Sequence, residues 1–271
     1  MKTRILVAVI GIPLLLIILL ALPPIATGIL VAGMAVIAVC ELLVPTGLVR
    51  DLRLVLLSAL MALFVCLWCC SRREWKVFLA ALWIYFMALF GLMLASHAKL
   101  RFESICISAF AGVVLPLLMA SLTRILLMDY GRFYILIPFV LCFGTDSAAY
   151  FVGCAFGKHK MAPIISPKKS WEGAVGGVVG GILLMMLYVL VLKIGFGHEV
   201  RFGVAAVYGV AGAVFCVLGD LVFSVIKRQT GIKDYGKLLP GHGGILDRFD
   251  STTIVAPLVE TLLMLFPLIV G

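Results

Sequence analysis

The chain has 271 residues, of which 64% are hydrophobic and only 13% carry a charged side chain. Soluble domains carry about 25% charged residues, so this composition excludes a large soluble fold and favours a protein that crosses a membrane several times. The net charge of +9 fits cytoplasmic anchoring first and anionic substrates second. Nucleic acid is not expected as a partner, because the cations are scattered over many short loops.

Apolar runs long enough to cross a bilayer recur along the whole sequence. We predict an all-α integral membrane protein, a polytopic bundle of about nine transmembrane helices that forms a single membrane domain over residues 1–271. The first run is expected to be a retained helix rather than a cleaved signal peptide. The predicted spans are approximately 5–22, 25–44, 53–70, 77–96, 104–122, 133–153, 173–194, 202–226 and 251–270.

The two halves differ in polarity. Residues 1–125 hold few polar side chains and are predicted to be mainly scaffold, with Glu41 near a helix end reaching the membrane interface. Residues 133–271 carry acids, lysines and glycines within and between the spans. We therefore expect the active site in helices and cytoplasmic loops of the second half.

The loop cations predict an orientation. With nine spans, the side that includes the N-terminus carries 15 Lys and Arg residues and the opposite side carries seven. The positive-inside rule then places the N-terminus and the loops after the sixth and eighth spans in the cytoplasm. Without those two loops, whose cations could serve catalysis instead, the counts are six and seven.

The eight cysteines lie within or at the ends of apolar runs. Cys66, Cys69 and Cys70 resemble a CxxC pair, but a metal or redox site would need a second ligand pair, which the sequence lacks. The cysteines are therefore predicted to be small buried hydrophobes.

Asp146 lies inside the predicted sixth span. A carboxylate within a span usually faces a cavity, a partner or an ion. Asp146, Tyr150, Gly153 and Gly157 share one helical face, which points toward the basic loop that follows. Asp146 is interpreted either as a buried acid paired with a cation of the bundle or as a direct part of the site.

Two adjacent lysines, Lys168 and Lys169, precede the predicted seventh helix. Ser170 is placed to cap that helix, which would leave backbone N–H groups free for an anion. The pattern indicates a phosphate site, with simple cytoplasmic anchoring as the alternative. Within the helix, Gly176, Gly177, Gly180 and Gly181 have small-xxx-small spacing, which predicts close packing on a neighbouring helix.

The densest polar block runs from the end of the eighth span into the ninth. Asp220, Ser224 and Lys227 are spaced i, i+4 and i+7 on one helical face. Asp247 and Asp250 share a face at the start of the last helix, near its positive end. Glycines between the two helices allow close backbone approach.

These acids are expected to converge from different helix ends. Carboxylates brought together repel one another unless a cation lies among them, and oxygen-only ligands favour Mg²⁺. Asp220, Asp247 and Asp250, with Asp146 as a fourth candidate, are therefore the predicted metal ligands. Internal salt bridges are the alternative explanation of the cluster.

The segment from Ser224 to Asp250 resembles the signature of the phosphatidate cytidylyltransferases (CDP-diacylglycerol synthases), without a gap over about 27 residues. Residues 146–160 and 166–173 resemble upstream blocks of that family, whereas the first hundred residues match only in hydropathy. The residues that carry the signature are Ser224, Lys227-Arg228, Lys233-Asp234, Pro240-Gly241-His242-Gly243-Gly244 and Asp247-Arg248-Phe249-Asp250.

The resemblance implies an enzyme of the inner (cytoplasmic) membrane that transfers CMP from CTP to phosphatidic acid and releases pyrophosphate. It further implies dependence on Mg²⁺, with room for a second cation, monovalent or divalent, and a homodimer in the lipid bilayer.

The expected roles of the residues follow from their charge. Asp220 and Asp247 are the first choices as metal ligands, then Asp250, then Asp146. Asp234 and Arg248 are expected to brace one another or the loop, and His242 to bind phosphate or to shape the turn. The residues expected to hold the triphosphate or the lipid phosphate are Lys168, Lys169, Ser170, Ser224, Lys227, Arg228, Gly243, Gly244 and Arg248.

Two other classes of protein fit parts of the pattern. A CTP-dependent lipid kinase or related nucleotidyltransferase would share the metal and the lysines but move a different group. An ion-coupled transporter would use Asp146 and Asp220 as coupling sites, although the unlike halves argue against the internal repeat that is common in transporters.

Overall fold

The computed structural model describes residues 2–71, 74–238, 241 and 243–270, with side chains from Val9 onward. About 75% of the chain is helical, which confirms the all-α prediction. A π-helical turn, Phe110–Val114, links α5 to α6. The helices are α1 (Lys2–Leu20), α2 (Pro24–Leu43), α3 (Leu52–Cys70), α4 (Trp75–Ala95), α5 (Phe102–Ala109), α6 (Leu115–Met119), α7 (Ser121–Leu126), α8 (Gly131–Tyr134), α9 (Ile137–Phe156), α10 (Trp171–Phe196), α11 (Phe202–Gln229) and α12 (Leu246–Leu265).

Seven candidate membrane spans, judged by length and composition, lie in the described part of the chain. They correspond to the second to eighth predicted spans and confirm a multi-pass membrane protein. The first predicted span corresponds to α1, whose described apolar part is Val9–Leu20. The ninth corresponds to α12, which is not among the seven, so the count of nine stays a prediction. The seven candidate spans are Pro24–Leu43, Leu52–Cys70, Trp75–Ala95, Phe102–Leu126, Gly131–Phe156, Trp171–Phe196 and Phe202–Gln229.

The chain divides into two compact units. The first unit contains Met1–Leu127 and Gln229–Phe249, and the second contains Met128–Arg228 and Asp250–Gly271. The end of the predicted scaffold at residue 125 falls close to the first boundary. The segment after α11 nevertheless belongs to the unit formed by the N-terminal helices. The predicted single domain stays a prediction.

In the first unit, α2 packs along α3, and buried hydroxyl groups link α3, α4 and α5. The Tyr85 hydroxyl donates to the carbonyl of Ser108 over 2.8 Å and lies 3.0 Å from the Ser58 hydroxyl. The π-helical turn directly precedes Pro116. A proline has no N–H to donate, so a wider turn, closed by the Leu115 N–H and the Phe110 carbonyl, carries the helix into α6.

In the second unit, glycines bring α9 and α10 into backbone contact. A methyl group on Gly177 would lie 3.1 Å from the carbonyl oxygen of Thr145, and one on Gly180 would overlap Ala148. On the next interface, a methyl group on Gly209 of α11 would lie 2.7 Å from Cα of Ile182. The predicted close-packed glycine face is therefore confirmed.

The segment between α9 and α10, expected to be a loop, contains a small antiparallel hairpin. Strands β1 (Lys160–Ala162) and β2 (Ser166–Ser170) pair with Lys160 opposite Ser170. The carboxylate of Glu172 accepts the backbone N–H of His159 at 3.2 Å, and its Oε1 lies 2.6 Å from His159 Nδ1. The start of α10 thus fixes the start of the hairpin.

Candidate active site

An ion pair between β2 and α11 lies at the centre of the second unit's polar residues. Lys169 Nζ lies 2.6 Å from Asp220 Oδ2, and Ser224 donates its hydroxyl hydrogen to Asp220 Oδ1 over 3.1 Å. The exposed fractions of the two ionic side chains are 21% and 29%. Because the pair is partly removed from water, it is stronger than a typical surface ion pair. The structure therefore brings a predicted phosphate ligand to a predicted metal ligand.

Asp250 adds a second carboxylate to this region. It lies near the start of α12, outside the seven candidate spans, and Ser251 donates its backbone N–H to Asp250 Oδ1 over 2.7 Å. Burial is the main reason that the pKa of Asp250 is raised to about 7. The charge of Asp220 raises the pKa further, the Ser251 hydrogen bond and the charge of Lys227 lower it, and the charge of Asp146 adds a smaller increase. Burial is therefore the main reason that Asp250 holds its proton more tightly than a free aspartate does.

Asp146 is the third acid of the cluster. Its side chain is exposed, and it lines a cavity of about 160 Å³ whose wall also contains both lysines of β2. The carboxylate and the lysines on that wall can contact a phosphate group or a hydrated cation. We call Asp146, Lys169, Asp220, Ser224 and Asp250 the acid–lysine cluster. The residues that line the cavity are Asp146, Ala149, Tyr150, Met161, Lys168, Lys169, Ser170, Gly173, Ala174 and Val217.

Ser170 caps α10, as predicted. Its hydroxyl oxygen accepts the backbone N–H of Gly173 over 3.1 Å, and the residue is buried. The cap satisfies one of the four N–H groups that a helix N-terminus leaves without an intrahelical partner. It also fixes the end of β2, so the two lysines of the strand are held beside the N-terminus of α10.

Three further basic residues near the acid–lysine cluster have different surroundings. Lys227 is buried, and its charge acts on Asp250. Arg228 is exposed and donates from Nε to the carbonyl of Ile165 over 3.2 Å, next to the hairpin. Lys168 is exposed at the cavity. Lys168 and Arg228 thus have the accessibility that a phosphate ligand requires.

Asp247 lies in the first unit, in the first turn of α12. Its Oδ2 accepts backbone N–H groups from Tyr235 at 2.8 Å, Gly244 at 3.0 Å and Gly236 at 3.4 Å. A methyl group on Gly243, whose φ is +86°, would lie 2.8 Å from the same oxygen. We call residues 235–247 the glycine loop. Asp247 thus binds backbone groups at both ends of this loop, and its predicted role as a metal ligand stays a prediction.

Glu41 was predicted to reach the membrane interface, and this was wrong. The side chain is buried in the first unit, where Oε1 accepts the N–H of Ile245 over 3.1 Å and Oε2 accepts the N–H of Leu246 over 2.9 Å. An acid in an apolar stretch of sequence was a usable signal for a buried contact, since burying an unpaired carboxylate costs free energy and such acids usually have a partner. The partner could not be read from the sequence, because it lies about 200 residues away.

Three other predicted residues belong to or flank the glycine loop. Asp234 and Arg248 are both exposed, and their mutual bracing stays a prediction. His242 lies outside the described residues, so its predicted contact with phosphate or its role in the turn stays a prediction too.

The acids of the cluster fit Mg²⁺ by donor type and by charge. In the described part of the chain, no group of three or more His, Cys, Asp or Glu side chains is arranged to hold a metal ion. Magnesium is usually bound through one or two carboxylates, with water and substrate phosphates as the other ligands. Asp220 and Asp250 supply such oxygens, and they lie near enough for the charge of Asp220 to act on Asp250. They therefore suit a magnesium ion that binds together with a polyphosphate.

A larger open groove of about 1050 Å³ lies along α9 and α10. Its walls include Val152, Val175 and Val179, with Lys158 and Lys160 at one end. None of the acids of the acid–lysine cluster lines it, so the smaller cavity is the candidate active site.

A family model described as the cytidylyltransferase family matches residues 2–266. The chain belongs to the cytidylyltransferase family. The resemblance carried by residues 224–250 is thereby confirmed at the level of the family.

The individual relatives are named phosphatidate cytidylyltransferase. The protein from Haemophilus influenzae is 44% identical over 133 residues, which cover 47% of this chain and 44% of that protein. The protein from Bacillus subtilis is 44% identical over 138 residues, or 51% of this chain and 50% of that protein. In these two alignments the chain spans about half the length of its relative. The protein from Staphylococcus epidermidis is 34% identical over 273 residues, covering 97% of this chain and 99% of that protein.

Proposed function

We propose that this multi-pass membrane protein is a phosphatidate cytidylyltransferase. It would transfer CMP from CTP to phosphatidic acid, giving CDP-diacylglycerol and pyrophosphate. The observation that carries the proposal is the acid–lysine cluster in a member of this family. Asp220 is paired with Lys169, and the charge of Asp220 acts on Asp250. Acids beside lysines suit a metal-bound triphosphate, because carboxylates can bind the metal and lysines can bind the phosphates.

The reaction needs little acid or base chemistry from the protein. A phosphate oxygen of the lipid forms a bond to the α-phosphorus of CTP. The bond from that phosphorus to the bridging oxygen breaks, and the electron pair leaves with pyrophosphate. Because both reactants are anionic, positioning and charge neutralisation are the expected sources of rate.

The charge and accessibility of each residue indicate whether it would bind phosphate or the metal ion. Lys168 and Arg228, both exposed, would bind phosphate oxygens, and Lys169 would hold Asp220 in place and offer its remaining donors to the substrate. Asp220 and Asp250 would hold Mg²⁺, which when bound neutralises charge on the triphosphate. Asp146 would border the space that the phosphates enter.

The membrane setting completes the proposal. The loop cations support an active site on the cytoplasmic side of the inner membrane. The homodimer rests on the resemblance to the family alone.

The test uses purified protein in detergent with CTP, phosphatidic acid and Mg²⁺. Pyrophosphate release should require all three, and label in the α-phosphate of CTP should appear in the lipid. Transfer of γ-phosphate label would instead identify a lipid kinase, and turnover in neither assay would refute both enzymes.

The metal assignment is tested separately. Asp220→Asn should lower turnover by roughly 10²-fold or more, because it removes one charged metal ligand from the surroundings of the transferring group. The amount of folded protein in the membrane should stay the same. Asp247→Asn with near-normal CTP-dependent activity would show that Asp247 is not a metal ligand.

A further inference from the structure

The N-terminus of α12 is bound by a carboxylate from the opposite end of the sequence. Ile245 and Leu246, which stand at the start of this helix, donate their N–H groups to the two oxygens of Glu41, over 3.1 and 2.9 Å. Glu41 lies in the last turn of α2. N–H groups at a helix N-terminus lack intrahelical partners, and a carboxylate there is also favoured by the helix dipole.

The same glycine loop is held by Asp247 from within. Together, Glu41 and Asp247 accept five backbone N–H groups of the loop and of the helix start. Both carboxylates are buried. The two acids therefore hold both ends of the glycine loop, at residues 235–236 and 244–246.

Two glycines of the loop make room for Glu41. A methyl group on Gly236 or on Gly244 would overlap the carboxylate of Glu41. The fit is thus steric as well as polar. The glycines of this segment, which the sequence marks only as places for close approach, leave space for a side chain of the N-terminal half.

We propose that Glu41 is a positioning residue of the active site. Resting on the proposed function, its role is to fix the glycine loop and the first turn of α12, the helix that contains Asp247 and Asp250. Glu41 itself contacts backbone groups only and is assigned no contact with substrate.

The geometry requires a carboxylate of this length. Glutamine offers one acceptor oxygen for two N–H groups and turns an amide N–H₂ toward the second. Aspartate is one methylene shorter and cannot reach both groups from the same backbone position. Either change leaves a buried N–H without a partner, a loss comparable to the removal of a hydrogen bond.

The experiment compares Glu41→Gln and Glu41→Asp with wild type in detergent. Thr27→Val is the matched control: Thr27 is also buried on α2, and its hydroxyl donates to the Ile18 carbonyl, away from the loop. We expect both Glu41 variants to lower kcat about 10²-fold, as small misplacements of a reacting group can, with KM for phosphatidic acid within about threefold of wild type. Thr27→Val should keep the kcat of wild type, including when it lowers the unfolding temperature as much as the Glu41 variants do.

Hydrogen exchange measured without substrates gives an independent readout. Amides of residues 244–247 should exchange faster in Glu41→Gln, while those of α3 and α4 stay as in wild type. Wild-type kcat in a variant whose loop amides exchange faster would overturn the inference. So would unchanged exchange at residues 244–247. If wild type itself makes no lipid product, the proposed function fails, but the exchange result still tests the anchoring.

A second variant covers the case in which Glu41→Gln does not fold. Gly236→Ala forces a methyl group against the Glu41 carboxylate, whereas Gly33→Ala, on the same helix as Glu41, meets open space. The expected result is a low kcat for Gly236→Ala and a normal kcat for Gly33→Ala. A normal kcat for both would refute the positioning role.

Discussion

Replacing Asp250 by Asn should stabilise the protein while abolishing its activity. The pKa of Asp250 rises from 3.8 to about 7 on folding. The folded state therefore binds more protons than the unfolded state between these values, so the free energy of unfolding falls as the pH rises from about 4 to 7 and levels off above that. Asparagine keeps the acceptor oxygen for the Ser251 N–H and carries no charge.

The magnitude follows from the size of the shift. Each pKa unit corresponds to about 1.4 kcal/mol, which gives an upper bound of about 4 kcal/mol at pH 8. Relaxation and solvent screening reduce this to ~1–3 kcal/mol. A chain of this size gains roughly 2–4 °C in unfolding temperature per kcal/mol. At pH 5 the difference between the variant and wild type should shrink to less than half of its value at pH 8.

The assay is thermal unfolding in detergent with a chelator present, followed by tryptophan fluorescence at pH 5 and pH 8. Asp129→Asn is the control, because Asp129 is exposed, and it should not change the unfolding temperature. Addition of Mg²⁺ should stabilise wild type and reduce its difference from Asp250→Asn. Equal stability of the variant and wild type at pH 8, or a difference that does not depend on pH, would refute the electrostatic reasoning.

Three further predictions concern the ion pair, the glycine face and a helix cap. Lys169→Met and Asp220→Asn should each lower kcat/KM by roughly 10²-fold. The free-energy change of the double variant, calculated from kcat/KM, should be smaller than the sum of the two single changes. Full additivity would contradict a functional pair. Gly180→Ala should destabilise the fold by ~1–3 kcal/mol through overpacking, whereas Gly195→Ala, whose methyl group would lie 4.0 Å from Val191, should be nearly neutral in thermal unfolding. Asp51 is the N-cap of α3 and accepts the Arg53 N–H over 2.9 Å. Asp51→Ala should therefore lower the free energy of unfolding by about 1 kcal/mol and Asp51→Asn by only a few tenths of that. Equal losses of stability in the same unfolding assay would contradict the role as a cap.

The sequence was sufficient for the features that depend on local pattern. The predicted spans 25–44 and 53–70 differ by at most one residue at each end from α2 and α3, because a bilayer sets the length of an apolar run. The close packing of α10 was also predictable, because glycines at four-residue spacing lie on one helical face. Ser170 was predicted as a cap from its place before a helix, and the structure confirms it.

Two features of the structure were not predictable from pattern. The hairpin β1–β2 lies in a segment with no alternation of polar and apolar residues, and Pro167 stands within β2. Glu41 was assigned to the membrane interface from its place near a helix end, whereas its carboxylate accepts N–H groups 204 and 205 residues further along the chain. The hairpin lacks a strand pattern, and the partners of Glu41 depend on a tertiary contact that a single sequence does not specify.

The acids of the polar block are balanced in different ways, and this difference bears on where the proposed magnesium ion would bind. One oxygen of Asp247 accepts three backbone N–H groups. Asp220 forms an ion pair with Lys169 and accepts a hydrogen bond from Ser224. Asp250 is the acid whose pKa stays high, because burial and its acidic neighbours outweigh its hydrogen bond and Lys227. A cation that binds near Asp250 lowers the energy of the folded protein, whereas one near Asp247 must compete with the hydrogen bonds that shape the glycine loop. Magnesium binding should therefore be lost more completely in Asp250→Asn than in Asp247→Asn, and the second substitution should act chiefly by loosening the loop.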